Sequence, residues 1–310
     1  MTSEPLALLF PGQGAHDVKM LDGVRGLPGF AARYELVCDA LGSKPGDSLG
    51  SSPLDEIAAG HGEYLNQNRV TALLTLLVSS LSLDAYREKT GRDADFVSGY
   101  SVGQWTALYA ARALSFEELV RVVAKRSALM DACFADIPGA MLAVIGLKAE
   151  VLENLCDGLR AKSHRLWVSN YNCVGQYTLA GTGEAIAHAE TALVDLKPKK
   201  VARVPVSGAW HTPLLASARA GFKPFLADVV LAGPTVPVVD NVTGGWLPSE
   251  RPALDEQLAR HLDHPVLWEQ GIKALLAKGA KRFVEIGYGN VLTKFGFFID
   301  RSVEHQAFYV

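Results

Sequence analysis

The stretch Phe96-Val97-Ser98-Gly99-Tyr100-Ser101-Val102-Gly103-Gln104-Trp105 constrains the chain more than any other. It contains Gly-x-Ser-x-Gly at Gly99, Ser101 and Gly103. An apolar pair leads in, and the Ala- and Leu-rich segment Val102 to Ala111 leads out. That is the setting of a tight strand-to-helix turn with the serine at its apex. A side chain at either glycine would crowd such a turn. The following helix would aim its backbone N–H groups and positive end at the serine, where an oxyanion would form. The tripeptide pattern alone arises readily by chance, so the rest of the chain has to carry the reading.

The chain has 310 residues, 49% hydrophobic and 20% charged, which suits a globular protein with a full core. A net charge of −3 gives no bulk case for a nucleic-acid partner. Cys38, Cys133, Cys156 and Cys173 form no Cys-x-x-Cys pair. No metal site and no disulfide scaffold are therefore expected, and a reducing cytoplasm fits. The start lacks the layout of a signal peptide. No run of about 20 apolar residues is apparent, so no membrane span or membrane partner is expected.

Leu6 to Phe10 reads as a buried parallel strand ending in the turn Pro11-Gly12-Gln13-Gly14. The tetrapeptide fits a plain turn, or a site loop at the carboxyl end of a strand. Residues 15–65 suggest small helices, Val70 to Tyr86 a buried helix, and Asp95 to Ser98 the strand into the serine turn. Ala107 to Ala113 continues the helix after it. Ser115-Phe116-Glu117-Glu118 has capping-box spacing and opens a helix to about Phe134. Arg126 falls on its apolar stripe with Leu119, Val122, Val123 and Met130. An inward guanidinium needs a structural carboxylate, a snorkelling path or a bound anion.

From Pro138-Gly139 the pattern is β-α-β-β-α-β: strand Ala140 to Leu147, helix Ala149 to Ala161, and strands Leu166 to Asn170 and Gln176 to Ala180. Helix Gly183 to Asp195 and strand Lys200 to Val206 complete it. It reads as a ferredoxin-like small domain, 136–204, inserted into a larger α/β domain formed by 1–135 and 205–310. His211 follows the last of these strands, in a position open to a structural or a catalytic role. Further on, Pro237 to Val242 suggests a strand, Asp255 to Leu262 and Trp268 to Lys278 helices, and Arg282 to Ile286 the last strand. A helix and a short end close the chain.

Taken together, these pieces resemble the malonyl-CoA:acyl-carrier-protein transacylase family. The matching stretches are Phe10-Pro11-Gly12-Gln13-Gly14, Gly99-x-Ser101-x-Gly103, Lys125 to Met130, Gly139-Ala140-Met141 and Ser207-Gly208-Ala209-Trp210-His211. Pro265-Val266-x-Trp268 and Glu285-Ile286-Gly287-x-Gly289-x-Val291-Leu292 complete the set, in family order over nearly the whole chain. The resemblance implies an α/β-hydrolase-like large domain carrying the ferredoxin-like small one. It implies that Ser101 is the nucleophile and His211 the general base and then acid. A backbone carbonyl, here that of His261, would orient the imidazole. The N–H groups of Gln13 and Val102 would form the oxyanion hole, and Arg126 would clamp a malonyl carboxylate. Asn170 and Asn172 match positions near the pantetheine cleft. No bound cofactor is implied: a CoA thioester is a substrate, and a phosphopantetheinylated acyl carrier protein is the partner. Carrier proteins are acidic, so Lys197, Lys199, Lys200 and Arg203 are candidates for a docking patch, or simply a solvated face.

The chain departs from the family at Tyr100 (usually His), Gln104 (usually Glu), Val70-Thr71 (usually Gln-Pro), Tyr288 (usually Pro) and Trp210 (Phe in malonyl-type members). All fall near the expected acyl or thioester pocket, so Tyr100, Gln104 and Trp210 join Asn172 as expected substrate-binding residues. Bulk at Trp210 favours malonyl over methylmalonyl. The alternatives are an acyltransferase for another acyl unit, a carrier-protein thioester hydrolase, and a non-enzymatic docking subunit. Retention of Arg126 argues against the hydrolase, and retention of Ser101 with His211 against the docking subunit.

Overall fold

The computed structural model describes residues 4–43 and 52–310. In chain order its elements begin β1 (Leu6–Phe10), α1 (Phe30–Leu41), α2 (Pro53–Ala58), α3 (Asn68–Thr90), β2 (Phe96–Gly99), α4 (Gly103–Ala110) and α5 (Phe116–Ala132). Then come β3 (Gly139–Ile145), α6 (Ala149–Arg160), β4 (Leu166–Cys173), β5 (Gln176–Thr182), α7 (Gly183–Leu196) and β6 (Lys200–Arg203). The last are α8 (Ala216–Ala227), α9 (Arg251–Arg260), α10 (Trp268–Ala277), β7 (Arg282–Ile286), α11 (Val291–Ile299) and β8 (Glu304–Phe308).

The mixed α/β architecture holds two sheets. One is parallel, in the order β2-β1-β7-β8. Every residue of β1 is buried, as expected for a parallel strand covered on both faces. The other sheet is antiparallel, in the order β4-β5-β3-β6, with α6 packed on β4 and α7 on β5. It has its own apolar cluster, including Leu142, Val144, Leu152, Leu179, Ile186 and Leu193. The antiparallel sheet is tied to the segment before α10 where Val266 donates to Ser169 O and its carbonyl accepts from Tyr171 N, both at 2.9 Å.

Several expectations change. Pro237 to Val242 makes only isolated bridges at Val238 and Val239. The chain leaves the sheet edge there because Asp240 caps Val242 N and Thr243 N, while Asn241 N turns to Gln104. β4 continues past Asn170 to Cys173, and the hairpin turn shrinks to Val174-Gly175 with Gly175 at φ 75°. Two irregularities let β4 keep pairing across Asn170 and Asn172. α8 is a helix the reading passed over, with Gly221 and Pro224 masking its pattern. The end forms β8, a mostly polar edge strand with little apolar alternation to signal it. Finally, α3 (23 residues) does have the length and hydropathy of a membrane span, yet 83% of its apolar window is buried inside this protein. It serves as a core helix.

The glycine turn sits where β1, β2 and α4 converge. A Cβ on Gly99 would lie 1.9 Å from Gly103 O, and one on Gly103 would lie 2.2 Å from Phe10 O. Neither obstacle is a flexible side chain. Gly103→Ala therefore has to push β1 and α4 apart. The expected loss is about 2–3 kcal/mol of stability, read as a lower urea midpoint at unchanged slope. A wild-type midpoint would show that these backbones have room to part.

Candidate active site

Ser101 stands between β2 and α4 with φ 52°, a left-handed conformation unusual for a residue with a side chain. Its Oγ lies 2.7 Å from Nε2 of His211, itself at φ 60° and 2% exposed. His211 Nδ1 lies 3.0 Å from the carbonyl oxygen of His261. A carbonyl can only accept, so Nδ1 carries the proton and Nε2 is left to accept from the serine. Burial and the nearby Arg126 charge pull the His211 pKa down to about 3, while the His261 carbonyl acts weakly the other way. The imidazole is therefore neutral at pH 7, the form a base requires. The His261 side chain is also pulled down, by burial and then by His211 and Arg126, and among the described residues neither of its ring nitrogens has a hydrogen-bond partner. Its ring lies against that of His211 with centroids 5.2 Å apart, while its carbonyl makes the hydrogen bond to the base.

The turn is held from behind by Asn241. Its Oδ1 accepts from Ser101 N at 2.8 Å, its Nδ2 donates to Gly99 O at 2.7 Å, and its own N donates to Gln104 Oε1 at 2.8 Å. Among the described residues, neither Val102 N–H nor Gln13 N–H has a protein acceptor. The Gln13 loop is fixed by its side chain, which donates to Thr71 Oγ1 at 2.7 Å and to Asn68 Oδ1 at 3.0 Å. Asn68 in turn donates to Asp131 on α5 at 2.9 Å.

Arg126 on α5 is fully buried, and its Nη2 lies 3.4 Å from Ser101 Oγ. Nε and Nη1 are buried without hydrogen-bond partners among the described residues. Desolvation lowers its pKa to about 10, so the charge persists at pH 7; Asp131 helps to hold it. Among the described residues Arg126 has no ion pair and no exposure to solvent, and Asp131 is the carboxylate whose charge acts on it.

A cavity of about 70 Å³ opens between Ser101, His211, Trp210, Gln13, Met141 and Tyr100. A second, of about 150 Å³, shares Gln13 and Tyr100 with it and continues along Asn172 toward Phe295. Tyr100 donates to Asn172 Oδ1 at 2.7 Å, and Asn170 lines the smaller space. Trp210 is braced edge-on by Phe134, with centroids 5.4 Å apart. Gln104 is fully buried behind the turn, with its Oε1 accepting from Asn241 N. Thr71 belongs to the scaffold of the Gln13 loop, and Tyr288 packs against Tyr309 with centroids 5.1 Å apart. Arg203 is tied up by Glu190 at 2.6 Å, which leaves the three lysines of the basic run. Asn241 and Asn68 were missed; their only signal was a buried amide after an apolar run and at a helix start.

A strand-turn-helix serine bonded to a buried neutral histidine, beside two free N–H donors, defines an acyl-transfer site. The acyl transferase domain family matches residues 49–297. The malonyl CoA-acyl carrier protein transacylase of Bacillus subtilis is 30% identical over 289 residues, 93% of this chain and 88% of that protein. The acyl-carrier-protein S-malonyltransferase structure from Burkholderia pseudomallei superimposes with a TM-score of 0.89 at 26% identity, covering 98% of this chain and 96% of that one. A malonyl-transacylase solved with a type II PKS acyl-carrier protein gives 0.88 at 28% identity, covering 98% and 94%. The chain belongs to the acyl transferase family, and within it to the malonyl CoA-acyl carrier protein transacylases.

The buried imidazole makes stability pH-dependent. His211 titrates near 6.5 when unfolded and at about 3 when folded. Between those values the unfolded chain binds the extra proton, so stability is full above pH 6.5 and falls as pH drops toward 3. The slope from this one group approaches ~1.4 kcal/mol per pH unit. Urea unfolding of wild type and His211→Gln from pH 7.5 to 4.5 is expected to show a flatter decline in the variant. Parallel curves would mean the imidazole titrates normally in the fold.

Proposed function

We propose that the chain transfers a malonyl group from its CoA thioester to the phosphopantetheine thiol of an acyl carrier protein, through an acyl-Ser101 intermediate. The observation that carries the malonyl reading is Arg126, a fully buried guanidinium 3.4 Å from Ser101 Oγ with two unpartnered nitrogens. A planar fork buried away from solvent beside Ser101 suits a carboxylate at the far end of the acyl group. The relative solved with a type II PKS acyl-carrier protein supports the partner.

In the first half-reaction Ser101 Oγ attacks the thioester carbon as its proton passes to His211 Nε2. The N–H groups of Gln13 and Val102 receive the oxyanion, and the His261 carbonyl steadies the imidazolium. The C–S bond breaks, and Nε2 returns the proton to the departing CoA thiolate. The second half-reaction runs the same steps in reverse with the carrier thiol, so the kinetics are ping-pong. Losing one oxyanion donor typically lowers such a rate by roughly 100- to 1000-fold.

The same reading assigns 1–135 with 205–310 to an α/β-hydrolase-like domain and 136–204 to a ferredoxin-like one. The 4-1-3-2 order of the antiparallel sheet, counted within that segment, supports the latter. Trp210 and Tyr100 crowd the acyl space, which favours malonyl over an α-branched unit. Lys197, Lys199 and Lys200 would meet the acidic carrier, and a cytoplasmic location belongs to this reading.

Incubation with malonyl-CoA is expected to add one malonyl mass to the wild-type protein and none to Ser101→Ala; an adduct on the variant would move the nucleophile elsewhere. Arg126→Ala is expected to lower kcat/KM for malonyl-CoA by at least ~100-fold, roughly 3 kcal/mol, while sparing acetyl-CoA. Equal losses with both would make Arg126 structural. Label recovered as free malonate rather than on added carrier would favour hydrolysis.

A further inference from the structure

Outside the cleft, three potential metal ligands converge at one end of the α6/α7 helix pair. His164 follows α6, while Glu184 and His188 stand four residues apart on α7. Glu184 Oε1 lies 3.5 Å from His164 Nδ1 and 3.7 Å from His188 Nε2. The two imidazole centroids are 3.9 Å apart, and one ligand atom from each residue fits within 4.8 Å of the others. We propose that His164, His188 and Glu184 bind one divalent transition-metal ion, with zinc the best match.

The argument is geometric. A tetrahedral ion with bonds of 2.0–2.1 Å holds its ligands ~3.4 Å apart. Two of the three edges are already within a few tenths of an ångström of that. The third closes by rotation of His188, whose side chain is half exposed; the rotation also has to part the two rings from 3.9 Å to the roughly 5 Å of two imidazoles on one tetrahedral ion. The backbones are set in advance. His164 N donates to Leu159 O at 3.0 Å, and Thr182 Oγ1 caps α7 through Ala185 N. Two imidazoles and one carboxylate select zinc, cobalt or nickel over magnesium or calcium, which prefer all-oxygen sites. Glu184 also offsets the positive end of α7, which would otherwise repel a cation. A fourth position stays open to water. The ion would clamp the α6–β4 turn to α7. The expectation of no metal rested on the cysteines, which take no part here.

The test uses untagged full-length protein and zinc alone, titrated in competition with a chromogenic chelator. One zinc per chain is expected. His164→Ala, His188→Ala and Glu184→Gln should each weaken binding by roughly tenfold or more. Zinc should raise the Tm of wild type and not of the histidine variants, while magnesium shifts neither. Malonyl transfer in chelator-treated buffer should stay at the wild-type level in all three variants. No binding at about 100 µM zinc, or binding that survives all three substitutions, would overturn the proposal.

Discussion

A full positive charge held away from water, with no carboxylate bonded to it, is the constraint around which this molecule is arranged. Arg126 cannot shed its proton at neutral pH, and its surroundings offer it only a serine hydroxyl at 3.4 Å and the more distant pull of Asp131. Leaving a buried ion so poorly matched destabilises a fold by several kcal/mol. α5 tolerates it because the same stripe carries Leu119, Val122, Val123 and Met130 into the main core. On the proposed reading an anion that enters would recover this deficit, whereas a neutral acyl chain would not.

That charge reaches the chemistry through His211. Burial is the larger cause of its lowered pKa and Arg126 the second. On the proposed reading, a carboxylate seated on Arg126 would offset the second cause and leave the first, so the imidazole would be a stronger base with a dicarboxylic acyl group in place. The His261 carbonyl contributes a fixed dipole to the developing imidazolium without the risk of a second anion.

What the sequence disclosed follows from how locally each feature is encoded. The serine turn, β1 with its Gln13 loop, α5 with Arg126, and the β-α-β-β-α-β order were legible because glycine spacing, capping and periodicity are short-range signals. The His211 pairing and the His261 carbonyl came through family resemblance, since nothing local marks a backbone oxygen as functional. Asn241 stayed hidden because its role depends on Ser101 and Gly99, some 140 positions away. α8 was masked by Gly221 and Pro224, and β8 by its polar edge composition. The buried helix expected over Val70 to Tyr86 is the middle of α3, whose ends were not marked because its serines and threonines break up the apolar run.

The departures from the family pattern separate once side chains are in place. Gln104 uses only its Oε1, as acceptor for Asn241 N, and a glutamate would offer the same atom. The change to a neutral amide therefore leaves the turn's support intact and removes a negative charge from behind Ser101. Thr71 likewise serves the scaffold, receiving the Gln13 amide that fixes the loop. Tyr100 and Trp210 are different, because both line the acyl cavity. Tyr100 also reaches across to Asn172 on β4, joining the residue before the serine to the antiparallel sheet. Its burial holds the phenol neutral, so the link is a plain hydrogen bond and adds no charge to compete for Arg126. On the proposed reading this pair would shape the acyl space, and the buried Arg126 beside Ser101 would select the acyl charge.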